Sequence, residues 1–216
     1  MSGLDRSTEA DGLHWVNVGY SAANYYLLRT DLVGLLIDVG WPGTLPRLRG
    51  SLARAGSDIR SVTHLLCTHY HPDHAGMAEE LVLLGIDLLV LETQSAAILA
   101  MNEYLRTREH LVPVSGRCRI DVRTDASRSF LWGLGIRGEV VATPGHTDDS
   151  VSLVLDSGLA FTGDLPPVLI GEPGDLVSQS WAKLHSRRVK EVLPGHGPIR
   201  RLSDVVDQSC LETSAP

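Results

Sequence analysis

A chain of 216 residues with 43% hydrophobic and 21% charged side chains has the make-up of a soluble globular protein with a proper core, and no apolar run reaches bilayer length. The net charge of −7 disfavours a phosphate-tracking surface, and Cys67, Cys118 and Cys210 supply neither a disulfide framework nor a Cys-x-x-Cys pair. Membrane insertion and nucleic acid partners are therefore excluded, and a reducing cytoplasm is the expected location.

In chain order, residues 1–12 are polar and lack the apolar stretch of a secretory signal, which predicts a short disordered tail before a single domain over 13–216. Leu13 to Val18, Asn24 to Arg29 and Leu32 to Val39 read as strands, with a turn at Thr30-Asp31. A helix over Gly43 to Ala55, a buried strand over Val62 to Cys67 and a helix over Ala75 to Leu84 follow. Ile86 to Leu91 predicts the next strand, and Ser95 to Arg108 a helix with Ile98, Met101 and Leu105 on one face. Periodicity is lost over 109–135, so segment 100–135 is expected to end as a loop-rich connection or a lid. Strands return at Gly138 to Thr143, Ser150 to Leu155 and Leu159 to Thr162. Asp175 caps a helix through Ser186, Val189 to Leu193 is a final strand, and Leu202 to Gln208 a closing helix.

The chemistry is concentrated between residues 67 and 76, Cys-Thr-His-Tyr-His-Pro-Asp-His-Ala-Gly, where His69, His71, Asp73 and His74 fall within six positions. Imidazoles mixed with carboxylates are what a borderline metal such as zinc selects. His69 and His71 are two apart, so an extended backbone puts them on one side, while Asp73 and His74 open the following helix. His146, Asp164 and His196 are further candidates. Each follows a glycine at the end of a strand-like segment, a position where a tight turn can aim the next side chain at a common point. His14, His64, His110 and His185 lack such context and are read as surface or core residues, and Cys67 as a small core residue.

These seven residues resemble the ligand set of the metallo-β-lactamase superfamily, over most of the chain and in the family's order. Asp38, in Leu36-Ile37-Asp38-Val39-Gly40, resembles the family's second-strand aspartate, which orients a ligand rather than binding metal. The resemblance implies an α/β fold (α+β by some schemes), a four-layer αβ/βα sandwich with two mixed sheets back to back and the metals at one sheet edge. It implies two zinc ions, with Fe2+ or Mn2+ as alternatives. His69, His71 and His146 would hold the first ion, Asp73, His74 and His196 the second, and Asp164 would bridge them. Such a pair lowers the pKa of a shared water and presents hydroxide to a carbonyl or phosphoryl centre, with Asp73 as the catalytic group that orients it.

The expected activity is hydrolysis of a small-molecule ester, lactone or thioester. A mononuclear iron persulfide dioxygenase-like oxidoreductase is the alternative, and a phosphodiesterase the second. The bridging Asp164 and the polar N-terminus depart from secreted β-lactamases, and the short stretch after Gly197 leaves no room for the helical domain of glyoxalase II. His71 stands where flavodiiron proteins carry glutamate. Tyr70, Trp41 and Leu165 are expected to line the substrate's approach, and Leu165, Val168 and Ile170 to suggest an apolar pocket. A dimer is compatible with the sequence, which does not specify assembly.

Overall fold

The computed structural model describes residues 6–8, 12–107, 112–167 and 174–206. Seven strands form the first sheet in chain order: β1 (Arg6–Thr8), β2 (His14–Asn17), β3 (Tyr26–Arg29), β4 (Gly34–Ile37), β5 (His64–Leu66), β6 (Asp87–Leu91) and β7 (Arg119–Val122). Strands β1 to β4 pair antiparallel. From β4 to β7 the pairing is parallel, because helical crossovers return the chain to the same end each time. The crossover helices are α1 (Leu45–Arg54), α2 (Pro72–Ala75), α3 (Ala78–Val82) and α4 (Ser95–Arg106).

After α5 (Ser127–Gly133), the second sheet is built from β8 (Gly138–Ala142), β9 (Val151–Leu155), β10 (Leu159–Gly163), β11 (Glu191–Pro194) and β12 (Arg200–Arg201), with α6 (Leu176–Ser186) between β10 and β11. Its order is β12-β11-β10-β9-β8, and only β10 and β11 are parallel neighbours.

The two-residue period of the strands sorts their side chains into layers. Tyr26, Leu28, Leu35, Ile37, Leu66 and Leu89 face the second sheet, where they meet Val140, Leu153, Phe161 and Leu193. Trp15, Tyr26 and Phe161 stack edge-to-face there, with centroids 5.1 to 6.5 Å apart. The alternate residues, Leu27, Leu36, Leu65 and Leu88, turn to the other face, against Leu48 and Leu52 of α1, Leu81 of α3 and Ile98, Met101 and Leu105 of α4. Beyond the second sheet, Val154, Ala160 and Val192 pack on Trp181 and Leu184 of α6. The result is the four-layer αβ/βα sandwich, each buried Leu, Ile or Val contributing about 1.5–3 kcal/mol. Among the described residues, no helix is long and apolar enough to cross a membrane.

Four expectations need correction. Within the segment expected to be a disordered tail, Arg6–Thr8 pair with β2 as an edge strand. The segment expected to be loop-rich, 109–135, carries β7, a 3-10 turn at Thr124–Ala126 and α5 among its described residues. The helix expected over Ala75 to Leu84 is interrupted at Gly76-Met77, where a Cβ on Gly76 would collide with Pro42 and the Pro72 carbonyl. At the C-terminal end Leu202–Asp204 form a 3-10 turn where a longer helix was expected, and Asp207 and Gln208 lie outside the described residues.

Candidate metal centre

Strands β4, β5, β8, β10 and β11 finish at one edge of the sandwich, and every candidate ligand follows one of those ends. Backbone hydrogen bonds tie the edge together, both across the sheets and within the second. Val151 N donates to the Thr68 carbonyl at 2.8 Å, Asn24 N to that of Gly195 at 2.7 Å, and Gly195 N to that of Gly163 at 2.7 Å. The loop after β5 is held inside as well: Tyr70 N donates to Asp149 Oδ2 at 2.9 Å, and Gln94 Nε2 to the Cys67 carbonyl at 2.8 Å.

All seven residues converge, in two linked groups. In the first, His71 Nδ1 lies 3.2 Å from His69 Nε2 and 3.0 Å from His146 Nε2. In the second, His74 Nε2 lies 3.2 Å from His196 Nε2, and Asp73 Oδ2 lies 3.7 and 3.4 Å from those two nitrogens. Asp164 Oδ2 stands between the groups, 3.3 Å from His74 Nε2, 3.6 Å from His196 Nε2 and 3.7 Å from His146 Nε2. Four ligands bonded tetrahedrally to zinc at 2.0–2.1 Å are separated by about 3.3–3.4 Å, so these spacings are those of donor atoms around a cation. The other Asp164 oxygen, Oδ1, is buried without a hydrogen-bond partner, a costly state for a carboxylate unless positive charge lies beside it. The donor set therefore fits divalent metal binding.

The surroundings fix which nitrogen of several rings faces the centre. Asp38 is buried and accepts three hydrogen bonds: from Thr68 N at 2.6 Å, from the Thr68 hydroxyl at 2.8 Å and from His74 Nδ1 at 2.9 Å. With its one proton committed to Asp38, the Thr68 hydroxyl accepts from His69 Nδ1 at 3.2 Å. His196 Nδ1 donates to the Ala22 carbonyl at 2.8 Å. In all three rings Nε2 is left facing the cluster as a ligand atom.

Protonation follows the same geometry. Burial opposes charge on His74, but the Asp38 carboxylate, with Asp164 behind it, outweighs burial and lifts its pKa to about 10. Burial and the positive His74 drive His69 down to about 2. Burial also lowers His146, against the pull of Asp164. Asp164 itself, although burial favours its neutral form, is brought to about 2 by its hydrogen bond and charge contact with His74. The proton on His74 thus supplies positive charge that a cation would replace.

The glycines before the three later ligands act in two ways. Gly163 has φ +54, left-handed backbone, and a side chain there would strike Thr68. Gly195 has no unusual φ; its role is close approach, since a Cβ would meet Asp164 Oδ1 and His74 Cε1.

Of the residues expected near a substrate, Tyr70 and Trp41 line a cavity of about 440 Å³ beside His71, and Leu165 lines another of about 300 Å³ beside His146, Asp164 and His196. Val168 and Ile170 lie outside the described residues. Thr68, Asp149 and the Ala22 carbonyl escaped the sequence reading. Thr68 sits inside the histidine motif and was legible in principle. Asp149 and Ala22 act on groups 79 and 174 positions away, which no local pattern reports.

A family model described as the metallo-beta-lactamase superfamily matches residues 18–197. The chain is 28% identical over 186 residues to a beta-lactamase-like protein 2 homolog from Caenorhabditis elegans, covering 82% of this chain and 56% of that one. It is 28% identical over 190 residues to an atrochrysone carboxyl ACP thioesterase from Aspergillus fumigatus, covering 82% of this chain and 38% of that one. The chain thus spans about half, or less, of the length of these curated relatives. Among solved structures, a metallo-beta-lactamase family protein from Thermus thermophilus superposes with a TM-score of 0.65 at 22% identity, over 90% of this chain and 76% of that one.

Proposed function

The chain belongs to the metallo-β-lactamase superfamily, and from that premise we propose that it is a dinuclear zinc hydrolase acting on a small-molecule ester, lactone or thioester. The observation that carries the reading is the sharing of Asp164 Oδ2 between two three-residue groups at ligand spacing. His69, His71 and His146 would hold one ion and Asp73, His74 and His196 the other, with Asp164 common to both. The imidazole-rich donor set suits zinc better than a hard, oxygen-seeking cation. The relative named as a thioesterase supports an acyl substrate.

Divalent ions held there would supply the acidity of a bound water and the polarisation of the bond it attacks. The chain's own groups do the rest. Asp73, at the start of α2 with 28% of its side chain exposed, accepts a hydrogen bond from the attacking water and passes the proton to the leaving group. Asp38 and Thr68 hold His74 and His69 in the tautomers that direct Nε2 inward, so the site is organised before substrate arrives. The iron dioxygenase alternative is separated from this reading by metal identity and stoichiometry rather than by the ligand set.

The test is elemental analysis of purified protein together with a panel of ester, lactone, thioester and phosphodiester substrates. Two zinc equivalents and hydrolysis that is lost in Asp164→Asn and His146→Ala are expected. Full activity after exhaustive chelation would overturn the metal mechanism, and one iron with oxygen consumption on a persulfide would replace it.

A further inference from the structure

The cavity on the His71 side of the centre has a composition that selects its occupant. Its walls are Trp41, Tyr70, Ala100, Met101 and Tyr104, gathered from the loop after β4, the ligand loop and α4, and it holds about 440 Å³. His71 forms part of the same wall, and its Nδ1 lies 3.0 Å from His146 Nε2, so the cavity borders the metal centre. Among the described residues, no lysine or arginine lines it, and the one charged side chain besides the ligand is Asp149, whose carboxylate is buried and accepts from Tyr70 N. A negative group of a substrate would find no counter-ion on these walls and a carboxylate nearby, whereas an apolar group would be desolvated against two aromatic rings, an indole and a thioether.

We propose that this cavity is the acyl pocket of the enzyme, taking an uncharged alkyl or aryl acyl group and setting a preference for apolar over anionic acyl substrates. The proposal rests on the hydrolase reading above. Met101 and Tyr104 lie one helical turn apart on α4, and exposed Ala100 stands beside them at the pocket wall. A large side chain at position 100 narrows the cavity without entering the core.

Two measurements test it. In the first, the zinc-loaded protein hydrolyses p-nitrophenyl esters from acetyl to decanoyl. The value of kcat/KM is expected to rise by about two- to fourfold per methylene until the cavity is filled, as burial of methylenes dictates. In Ala100→Trp the decanoyl-to-acetyl ratio should fall about tenfold or more. In the second, binding of 2-decanone, which is neutral and not hydrolysed, is followed by indole fluorescence, with Trp41→Phe identifying the signal and Ala100→Trp expected to weaken binding. Hydrolysis that is indifferent to acyl length and to Ala100→Trp overturns the pocket and leaves the hydrolase. Ketone binding that Ala100→Trp abolishes, with no ester, lactone or thioester cleaved, sustains the pocket and removes the hydrolase reading. Preference for succinyl over butyryl esters overturns the proposal outright.

Discussion

At the scale of single residues, the site depends as much on what is missing as on what is present. Gly195 carries no side chain because Asp164 Oδ1 and His74 Cε1 occupy the space where one would be. Gly195→Ala is therefore expected to push the bridging carboxylate off its position while leaving the sandwich folded. On the two-zinc proposal, metal content per chain should fall from two towards one, with kcat reduced about a hundredfold, the scale on which small displacements of catalytic groups act. An unchanged metal content by elemental analysis would show that the contact is relieved cheaply.

The same cluster sets how the chelated protein responds to pH. His74 is raised from 6.5 to about 10, so its stabilising contribution is complete below pH 6.5 and disappears as pH climbs through about 10. His69 works in the opposite sense: lowered from 6.5 to about 2, it stays neutral in the fold, and stability is lost as pH falls below 6.5 because the unfolded chain takes up the proton. Asp164, lowered from 3.8 to about 2, adds a further loss as pH falls from 3.8 towards 2. Thermal midpoints in the presence of a chelator should pass through a maximum near pH 6.5, the reference value of both histidines. A midpoint that climbs steadily to about pH 9 would contradict a His74 proton shared with Asp38.

Among elements, α6 is the brace for the second sheet's ligands. The indole of Trp181 donates to the Pro166 carbonyl at 2.8 Å, just past Asp164, and the Ser180 hydroxyl donates to the Pro144 carbonyl at 2.7 Å, just before His146. Trp181 is fully buried between α6 and the sheet. Trp181→Ala should cost about 3–5 kcal/mol, read from the denaturant midpoint at constant m-value, and should raise the dissociation constant of the metals because both ligand loops lose their support. A loss of stability with metal affinity intact would separate the brace from the site.

Elements also show what the sequence could and could not reveal. β3 to β6 were legible because both their faces are buried, which produces unbroken apolar runs such as Leu88 to Leu91. β7 was not. It is an edge strand in which Arg119 and Ile120 are half-buried and Asp121 is exposed, so burial imposes no pattern on it. Arg6–Thr8 at the opposite edge is a three-residue strand with no apolar residue to mark it in the sequence. At the break Gly76 packs against Pro42, a neighbour 34 positions away, and helical periodicity carries straight across it. The ligand cluster itself was readable because four of its seven members are consecutive or nearly so. The hydrogen bonds of Asp149 and the Ala22 carbonyl emerge only when the two sheets are brought together.

For the molecule as a whole, the position of the seven residues makes a metal a clamp between its halves. His69, His71, Asp73 and His74 come from the loop after β5 in the first sheet, and His146, Asp164 and His196 from strand ends of the second. The sheets otherwise meet through an apolar layer and a set of backbone and side-chain hydrogen bonds such as Tyr70 N to Asp149 Oδ2 and the Tyr26 hydroxyl to the Pro194 carbonyl, so any cation binding all seven binds the folded arrangement and not the unfolded chain. Free zinc at a hundred times its dissociation constant then adds about 2.7 kcal/mol per site, and for a chain of 216 residues the melting midpoint should rise by about 5–10 °C over the chelated protein for each site filled. Asp164→Asn keeps the shape of the bridge but weakens its charge, and should retain less than half of that rise. An equal rise in the wild-type protein and the Asp164→Asn variant would place the stabilising ion elsewhere in the molecule.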